Sequence, residues 1–582
     1  DPDFALAAYD NVKNPVGLRN YYLFTQDPAV AQAEVPEVIR GLDAAIRYHA
    51  VALSVPHHHA VSMWSVPLAH ADSVLSWPDL PGEVRNAIRG RLALLCYLLT
   101  DPDVTSAGDG SHHGNPNMGV ARLSDRSNLA ALIPDHPMHR AWAEYMGDYL
   151  AYKQGTFMAP EGAWIEYGVS YHMHGYGKIS RGLMGALADG VSAADRIRAY
   201  NRQDFDYYLN LLTPVDPRLG MRVIPGMANA PTGCPVQFLD AMGNFADRDP
   251  EFAANLRWGW EQGGRMIGGA YDLGVSAMAR PEIPAREPRL TSRVYPGFGV
   301  VFRAHQGPDE TYLALRSGYH WSHWTHDQGN LVCYSKGAAL LPPQPYQYAR
   351  NGEIDPAFPD KNMVRFGDPK NDMPHAWPDS NILDAAFGER VDYAWHSTGY
   401  PDWYFTPGAT PGMGVPRPRA EAVGTADGDF TWDRQVAFLK SRDPKGANYF
   451  VIRDGVNGPG KAASWWNLNV PGKKRHIQVA GETVAVDTEW PTKFDLLFPG
   501  RPNPAFEMLE NRLPTDYADA HFRFSRPLAE GGVISRDYVM ADEAGTPVRW
   551  EKWTGQRKQN PALWDYYISI AHNPANPTYD TH

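Results

Sequence analysis

Cysteine is scarce: 582 residues contain 3, Cys96, Cys234 and Cys333. They lie far apart, allow one disulfide at most and show no zinc-type pairing, so a disulfide scaffold is excluded. Cys96 falls within an apolar helical pattern and reads as core. Long apolar runs are also missing; nothing approaches the ~18 consecutive apolar residues of a membrane helix. Excess positive charge is absent too. The net charge of −12 argues against nucleic acid as a partner, and any anionic ligand needs a local basic or hydrogen-bonding cleft. Low-complexity tracts do not occur. The first residues carry no basic-then-apolar signal, and the chain opens on Asp1 rather than Met, as expected for a processed or trimmed form.

Common catalytic signatures are missing as well. There is no Gly-x-Ser-x-Gly elbow, no His-Glu-x-x-His helix and no phosphate loop ending in Gly-Lys-Ser/Thr. What remains is a globular composition, 43% hydrophobic and 21% charged, with 18 Trp, 30 Tyr and 21 His. Aromatic rings offer broad apolar faces with hydrogen-bonding tips, a composition suited to stacking on sugars. The length exceeds the ~100–200 residues of a usual domain, so two large domains are expected.

The two halves differ in period. Trp142, Tyr145, Met146, Tyr149 and Leu150 recur at i, i+3, i+4, i+7 and i+8, one face of an amphipathic helix. Val84, Ile88, Leu92, Leu95 and Leu99 repeat the pattern after the Pro81-Gly82 breaker. Ile39, Leu42, Ile46 and His49 mark an earlier helix, and Phe205, Tyr208, Leu209 and Leu212 a later one. Beyond Ala279 the pattern changes to short β-rich runs at Gly299–Phe302, Leu331–Tyr334, Ile477–Val479 and Tyr566–Ile570. Ala480-Gly481-Glu482 joins the third of these to Val484 and Val486 as a hairpin. The expected organisation is α+β: helices over 1–279, a Pro-rich linker over 280–290, and antiparallel sheets packed as a sandwich over 291–582.

Three polar clusters stand out. Ser111-His112-His113-Gly114-Asn115-Pro116-Asn117-Met118 is forced into a loop by Gly and Pro. Its plain reading is a turn with Asx-type caps. The functional one is a set of neutral hydrogen-bonding groups on a binding loop. The second, Glu161 to Gly177, crowds tyrosines and histidines among glycines before a helix expected to start near Lys178. Each tyrosine there also reads as packing, while the glycines suit close approach by a ligand. The third, His320-Trp321-Ser322-His323-Trp324-Thr325-His326-Asp327-Gln328-Gly329-Asn330, runs straight into a strand. Histidines three apart point to opposite faces of an extended chain, which counts against a metal site built from all three. His57-His58-His59 lacks a carboxylate at ligand spacing and reads as a surface or groove feature, and Trp465-Trp466 with Asn467 and Asn469 as sheet packing.

The helical first half, the Gly-Ala-Trp-Ile-Glu-Tyr run and the His323-x-x-x-Asp327-Gln-Gly-Asn strand entry, followed by Tyr334-Ser335-Lys336-Gly337, together resemble the heparinase II/III-like superfamily of polysaccharide lyases. The resemblance implies an incomplete (α/α) toroid followed by an antiparallel β-sandwich. It implies β-elimination at a uronic acid, with an anionic polysaccharide or oligosaccharide as partner and a secreted or periplasmic location. Carried over by motif, Asn117 or Asn115 resembles the group that neutralises the uronate carboxylate, Tyr171 the catalytic tyrosine and His323 the catalytic histidine. Tyr167 and Tyr176 remain alternatives for the tyrosine's role. His113, Asn115, Glu166, Tyr167, His172, Tyr176, Trp321 and His326 are expected at the substrate. Relatives with a structural zinc carry a second His two residues before the Asp and an Asp-Ser-Gly-like turn. Here Thr325 and Leu341-Pro342-Pro343-Gln344 stand instead, so no cofactor is expected, although His326 and His396 offer a different site.

Two other readings compete. A glycoside hydrolase on a helical toroid would use a carboxylate pair such as Glu161 with Glu166 or Asp327. A non-catalytic carbohydrate-binding protein would use the aromatic groove without turnover. If the loop neutralises a carboxylate in the transition state, Asn117→Ala or Asn115→Ala should lower kcat far more than it changes KM in steady-state assays. Wild-type kinetics in both variants would remove the loop from the mechanism.

Overall fold

The computed structural model describes residues 28–51, 71–100, 120, 129–164, 169–227, 236–265, 280, 282–318, 327–342, 361–366, 379–400, 403–407, 414–418, 430–457, 463–470, 477–488, 490–500, 507–510, 520–527 and 534–535. The strand expected at Tyr566–Ile570 and the residues Cys234 and His57–His59 lie outside them.

The helices expected in the first half are present, and burial follows their apolar period. Gly82–Thr100 buries Ile88, Leu92, Leu95, Cys96 and Leu99. His139–Phe157 buries Trp142, Met146 and Leu150, but Tyr145 is 41% exposed, so the buried stripe is narrower than the sequence pattern. Pro28–Val51 turns Val38, Leu42 and Ala45 inward, while Ile39 and Ile46 are only half-buried. Further helices run over Val169–Ala188, Ala193–Leu211, Phe238–Phe245 and Pro250–Gln262. The last begins as its sequence dictates: the Asp249 side chain accepts the Phe252 N–H, and Pro250 needs no donor in the first turn. Apart from the short pair Val215–Asp216 and Met221–Arg222, strands start at Arg293.

Every strand pairing among the described residues is antiparallel, including the Ile477–Ala480 and Thr483–Asp487 hairpin. Two five-stranded sheets dominate. The first comprises Arg293–Tyr295, Gly299–Ala304, Thr311–Arg316, Leu331–Ser335 and Ala338–Leu341. The second contains Asp379–Phe387, Val391–Tyr400, Phe430–Leu439, Tyr449–Asn457 and Ile534–Ser535. They share one core, in which Val300, Phe302, Leu313 and Leu315 of the first pack with Ala394, Trp432, Val436 and Phe438 of the second. Trp465-Trp466 and Asn467–Asn469 lie in strand Ala463–Val470, as the sequence suggests.

Compact units do not follow the change of period. One holds residues 1–158 and 174–202; the other holds Ala159–Met173 together with everything from Gln203 onward. The reason is visible inside the second unit. The first sheet is buried on both faces, and the face away from the shared core is pinned to the stretch Asn210–Arg222. The Arg303 guanidinium donates to the carbonyls of Asn210 (2.8 Å) and Leu212, and pairs with Glu310, whose other carboxylate oxygen forms an ion pair with Arg222 at 2.8 Å. The Tyr312 hydroxyl donates to Leu211 O at 3.1 Å, and the Tyr334 hydroxyl to Asp216 at 2.8 Å. Burial alone would raise the Asp216 carboxyl, but the Arg218 hydrogen bond and charge, with Tyr334 and the Arg218 amide, hold it below its ordinary range. A region expected to belong wholly with the helices is thus welded to the sheet by buried polar bonds.

On the inner face of the second sheet, Asp454, Arg434 and His396 lie in one cross-strand row, and Val456, Trp432 and Thr398 in the next. His396 is fully buried, its Nε2 shares a 2.7 Å hydrogen bond with Thr398, and burial together with the Arg434 charge lowers its pKa to about 3. A folded-state pKa below the unfolded value means that the unfolded chain binds the extra proton first, so stability falls as pH drops from about 6.5 towards about 3. His396→Gln should flatten that window of the curve of unfolding free energy against pH, by about 1 kcal/mol or more relative to wild type. Parallel curves for the two proteins would show that His396 does not titrate this way.

Candidate active site

The segment carrying Tyr171 is built in layers. A 3-10 turn at Pro160–Gly162 closes with Ala159 N–H donating to Ala163 O at 2.7 Å. Gly162 has φ of +99°, and an added Cβ there would overlap the Gln203 carbonyl, so glycine is needed both for conformation and for close approach. Arg293 ties Glu161 at 2.7 Å from the first sheet. Trp164, 4% exposed, stacks on the His172 ring at 4.7 Å and 3°.

Helix Val169–Ala188 starts well before the expected position near Lys178. Gly175 and Gly177 lower its intrinsic propensity, but Met173, Gly175 and Tyr176 are buried, and packing overrides propensity. Tyr171 and His172 are therefore helical neighbours ~100° apart around the axis. Tyr171 is half-buried. His172 points inward and is fully buried; its Nδ1 is hydrogen-bonded to the Tyr208 hydroxyl, and its Nε2 lies 3.4 Å from Asp204. Asp204 and Tyr208, one turn apart on helix Ala193–Leu211, form the receiving face. His172 was expected to meet substrate and instead anchors the first turn of the helix, because a saccharide cannot reach a side chain with no exposed surface. Tyr176 needs the same correction: it is fully buried, and its hydroxyl accepts from Ser180 at 3.4 Å.

The second element is the turn Asp327-Gln328-Gly329-Asn330. Its backbone closes with Asn330 N–H donating to Asp327 O at 3.0 Å, and it docks on Arg316 through Gly329 N–H to Arg316 O at 2.8 Å and Arg316 N–H to Asn330 O at 2.9 Å. Asn330 Oδ1 accepts from Asn362 N–H at 2.8 Å, and Asn362 Nδ2 donates to Leu331 O at 2.8 Å. Gly329 has φ of +74°, and a Cβ there would run into the Trp432 ring. Asp327 is fully buried. The Asp-Gln-Gly-Asn run is thus an internal polar turn, rigidly specified on both sides. Tyr171 and this turn fall in the same compact unit, although the sequence assigns them to different domains.

The remaining expected site residues, His113, Asn115, Asn117, Glu166, Tyr167, Trp321, His323 and His326, lie outside the described residues. Sequence reasoning missed Trp164, Asp204, Tyr208, Arg434 and Asp454, which hold the two elements. Arg434 had a legible signal, since Trp432, Arg434, Val436 and Phe438 share one strand parity, placing a cation on an apolar face. Positive charge is disfavoured at His396 first by its burial and then by the Arg434 guanidinium, its cross-strand neighbour.

Gly162→Ala should destabilise the second unit by about 2 kcal/mol or more, because a Cβ meets backbone rather than a movable side chain. Thermal melting should show the loss, with Tyr171-dependent activity falling in parallel. An unchanged melting temperature would mean the turn does not need this contact.

No protein-family profile matches the chain, and no curated protein matches it in sequence. Solved structures do match in fold. A mutant heparan sulfate lyase from Pedobacter heparinus superposes with a TM-score of 0.59 at 12% identity, covering 90% of this chain and 75% of that one. A heparinase III gene product gives 0.60 at 14% identity, covering 91% and 77%. A further heparinase III gives 0.58 at 11% identity, covering 91% and 76%. The chain, with helices and antiparallel sheets, has the fold of the heparinase III-like polysaccharide lyases.

Proposed function

We propose that this chain is a polysaccharide lyase that cleaves a uronic-acid polymer by β-elimination. The observation that carries the reading is the fold match over nine-tenths of the chain. Two anchored elements at the positions of the catalytic motifs support it. The helical half is read as an incomplete (α/α) toroid and the sheets as a β-sandwich, with an anionic polysaccharide or oligosaccharide as the substrate. A secreted or periplasmic location suits a polymeric substrate, and no described helix is long and apolar enough to cross a membrane.

In the proposed reaction a base removes the C5 proton of the uronate. The electron pair forms the C4=C5 double bond as the C4–O4 bond breaks, and O4 leaves with a proton from Tyr171. Asn117 or Asn115 neutralises the carboxylate while negative charge builds on it, without needing net positive charge on the protein. If Tyr171 serves as both base and acid, both groups depart from one face (syn); if His323 is the base, they depart from opposite faces (anti). His172 supports either route by fixing the first turn of the helix, and so the direction of its neighbour Tyr171.

The hydrolase reading loses ground on geometry. Glu161 is committed to Arg293, and Asp327 is sealed inside its turn, so neither is a free acid or base facing a sugar. Alginate, glucuronan, hyaluronan, chondroitin and heparin should be assayed for ultraviolet absorbance gain. A lyase produces the conjugated unsaturated uronate, a hydrolase only reducing ends, and a binding protein neither. On the responsive polymer, Tyr171→Phe should lower kcat by about 100-fold or more while the protein still unfolds cooperatively, because only the hydroxyl is removed. Wild-type rates in that variant would remove Tyr171 from the mechanism.

A further inference from the structure

We propose that Asp204 and Tyr208 are positioning residues for Tyr171, acting through His172. This rests on the reading of Tyr171 as a catalytic group. The N–H groups in the first turn of a helix have no intrahelical acceptors, so that turn depends on outside contacts for its rigidity. Tyr171 and His172 stand in such a turn, as the third and fourth residues of Val169–Ala188. The His172 ring supplies the contacts. Trp164 lies parallel to it at 4.7 Å and 3°, which holds the imidazole across its plane. At its edge, Nδ1 meets the Tyr208 hydroxyl and Nε2 lies 3.4 Å from Asp204. His172, Asp204 and Tyr208 are all buried. The Asp204 carboxylate favours the ring proton on Nε2, which leaves Nδ1 to accept from the Tyr208 O–H. A side chain needed here for packing alone would be apolar, because a buried imidazole requires polar partners for its nitrogens.

The face that receives His172 is itself fixed. Tyr207, next to Tyr208, packs edge-on against Tyr295 at 4.9 Å and Phe298 at 5.9 Å, in the first hairpin of the first sheet. Asn210 exchanges two hydrogen bonds with Thr291: its Oδ1 accepts the Thr291 N–H at 2.8 Å, and its Nδ2 donates to the Thr291 carbonyl at 3.0 Å. A chain of contacts inside one compact unit thus runs from the first sheet, through Tyr207–Asn210, to His172 and the turn that carries Tyr171. A misplacement of about 1 Å in a reacting group costs on the order of 100-fold in rate, so a broken link should be read in kcat.

The test uses the full chain, with Asp204→Asn and Tyr208→Phe, each alone and combined with Tyr171→Phe, and Ser292→Ala as a control. Ser292 lies in the same unit; its hydroxyl accepts the Arg303 N–H at 2.7 Å and donates to Asp392. On the polymer that yields unsaturated product, Asp204→Asn is expected to lower kcat about 10- to 100-fold and Tyr208→Phe several-fold, both at unchanged KM. In the Tyr171→Phe background either substitution should change the residual kcat less than about twofold, since the group being positioned is already gone. Ser292→Ala should lower the melting temperature and leave kcat intact. Independently of activity, deuterium uptake by the peptide spanning residues 169–176 should rise in Asp204→Asn and Tyr208→Phe and stay at the wild-type level in Ser292→Ala. The proposal is overturned if uptake there is unchanged in both variants, if neither lowers kcat, or if Ser292→Ala does both as strongly. It is also overturned if the two substitutions lower kcat as much in Tyr171→Phe as in the wild-type chain, the result a general loss of structure would give. Should Asp204→Asn fail to fold, Tyr208→Phe decides by the same readouts. If no uronate polymer yields unsaturated product with the wild-type chain, the lyase reading fails, and deuterium uptake alone decides whether Asp204 and Tyr208 hold the turn of Tyr171.

Discussion

A guanidinium taken out of water is tolerable only when its charge is matched and its N–H groups find acceptors. The second unit is organised around two places where the charge is matched and the terminal guanidinium nitrogens find acceptors. At Arg303, a carboxylate shared with Arg222 and a pair of helix-end carbonyls join the first sheet to residues that continue the helical half. At Arg434, the Asp454 fork and two carbonyls join the second sheet to the turn that enters the first. Apolar packing supplies most of the driving force for such a core. It is non-directional, however, and would permit sliding of sheet on sheet. The buried ionic bonds have fixed directions and allow one arrangement.

The same logic applies to the tyrosine segment. The imidazole of His172 is held by a stacked indole on one side and by Tyr208 and Asp204 on the other. What looked in sequence like a cluster of ligand-facing aromatics is sorted by the helix into an inner residue, His172, that anchors and a neighbour, Tyr171, that is only half-buried. Functional sites need side chains whose supports are themselves locked. Here the supports outnumber the expected catalytic groups, and apart from Trp164 they come from sequence positions outside the motifs.

Much of the architecture could be read from periodicity. Ile88, Leu92, Leu95 and Leu99 announce a helix, and Val484 and Val486 after Ala480-Gly481-Glu482 announce a hairpin, because the side chains that must be buried recur with the geometry of the backbone. The fold resemblance was likewise legible in a few short runs, although 11 to 15% identity leaves little else in common with the matched structures. The start of helix Val169–Ala188 was not legible, since local propensity disfavours helix at Gly175 and Gly177 and only burial reverses the balance.

The sequence by itself therefore determined the order of helices before sheets, the antiparallel pairing and the motif positions of Tyr171 and Asp327, all of which depend on local pattern. Tertiary structure alone decided that Ala159–Met173 and Gln203–Gln262 group with the sheets, that His172 and Tyr176 are buried, and that Arg434 reaches Gly329. Those outcomes depend on which groups meet across long stretches of chain. A hydrogen bond between residues 105 positions apart leaves no periodic trace in the sequence that encodes it.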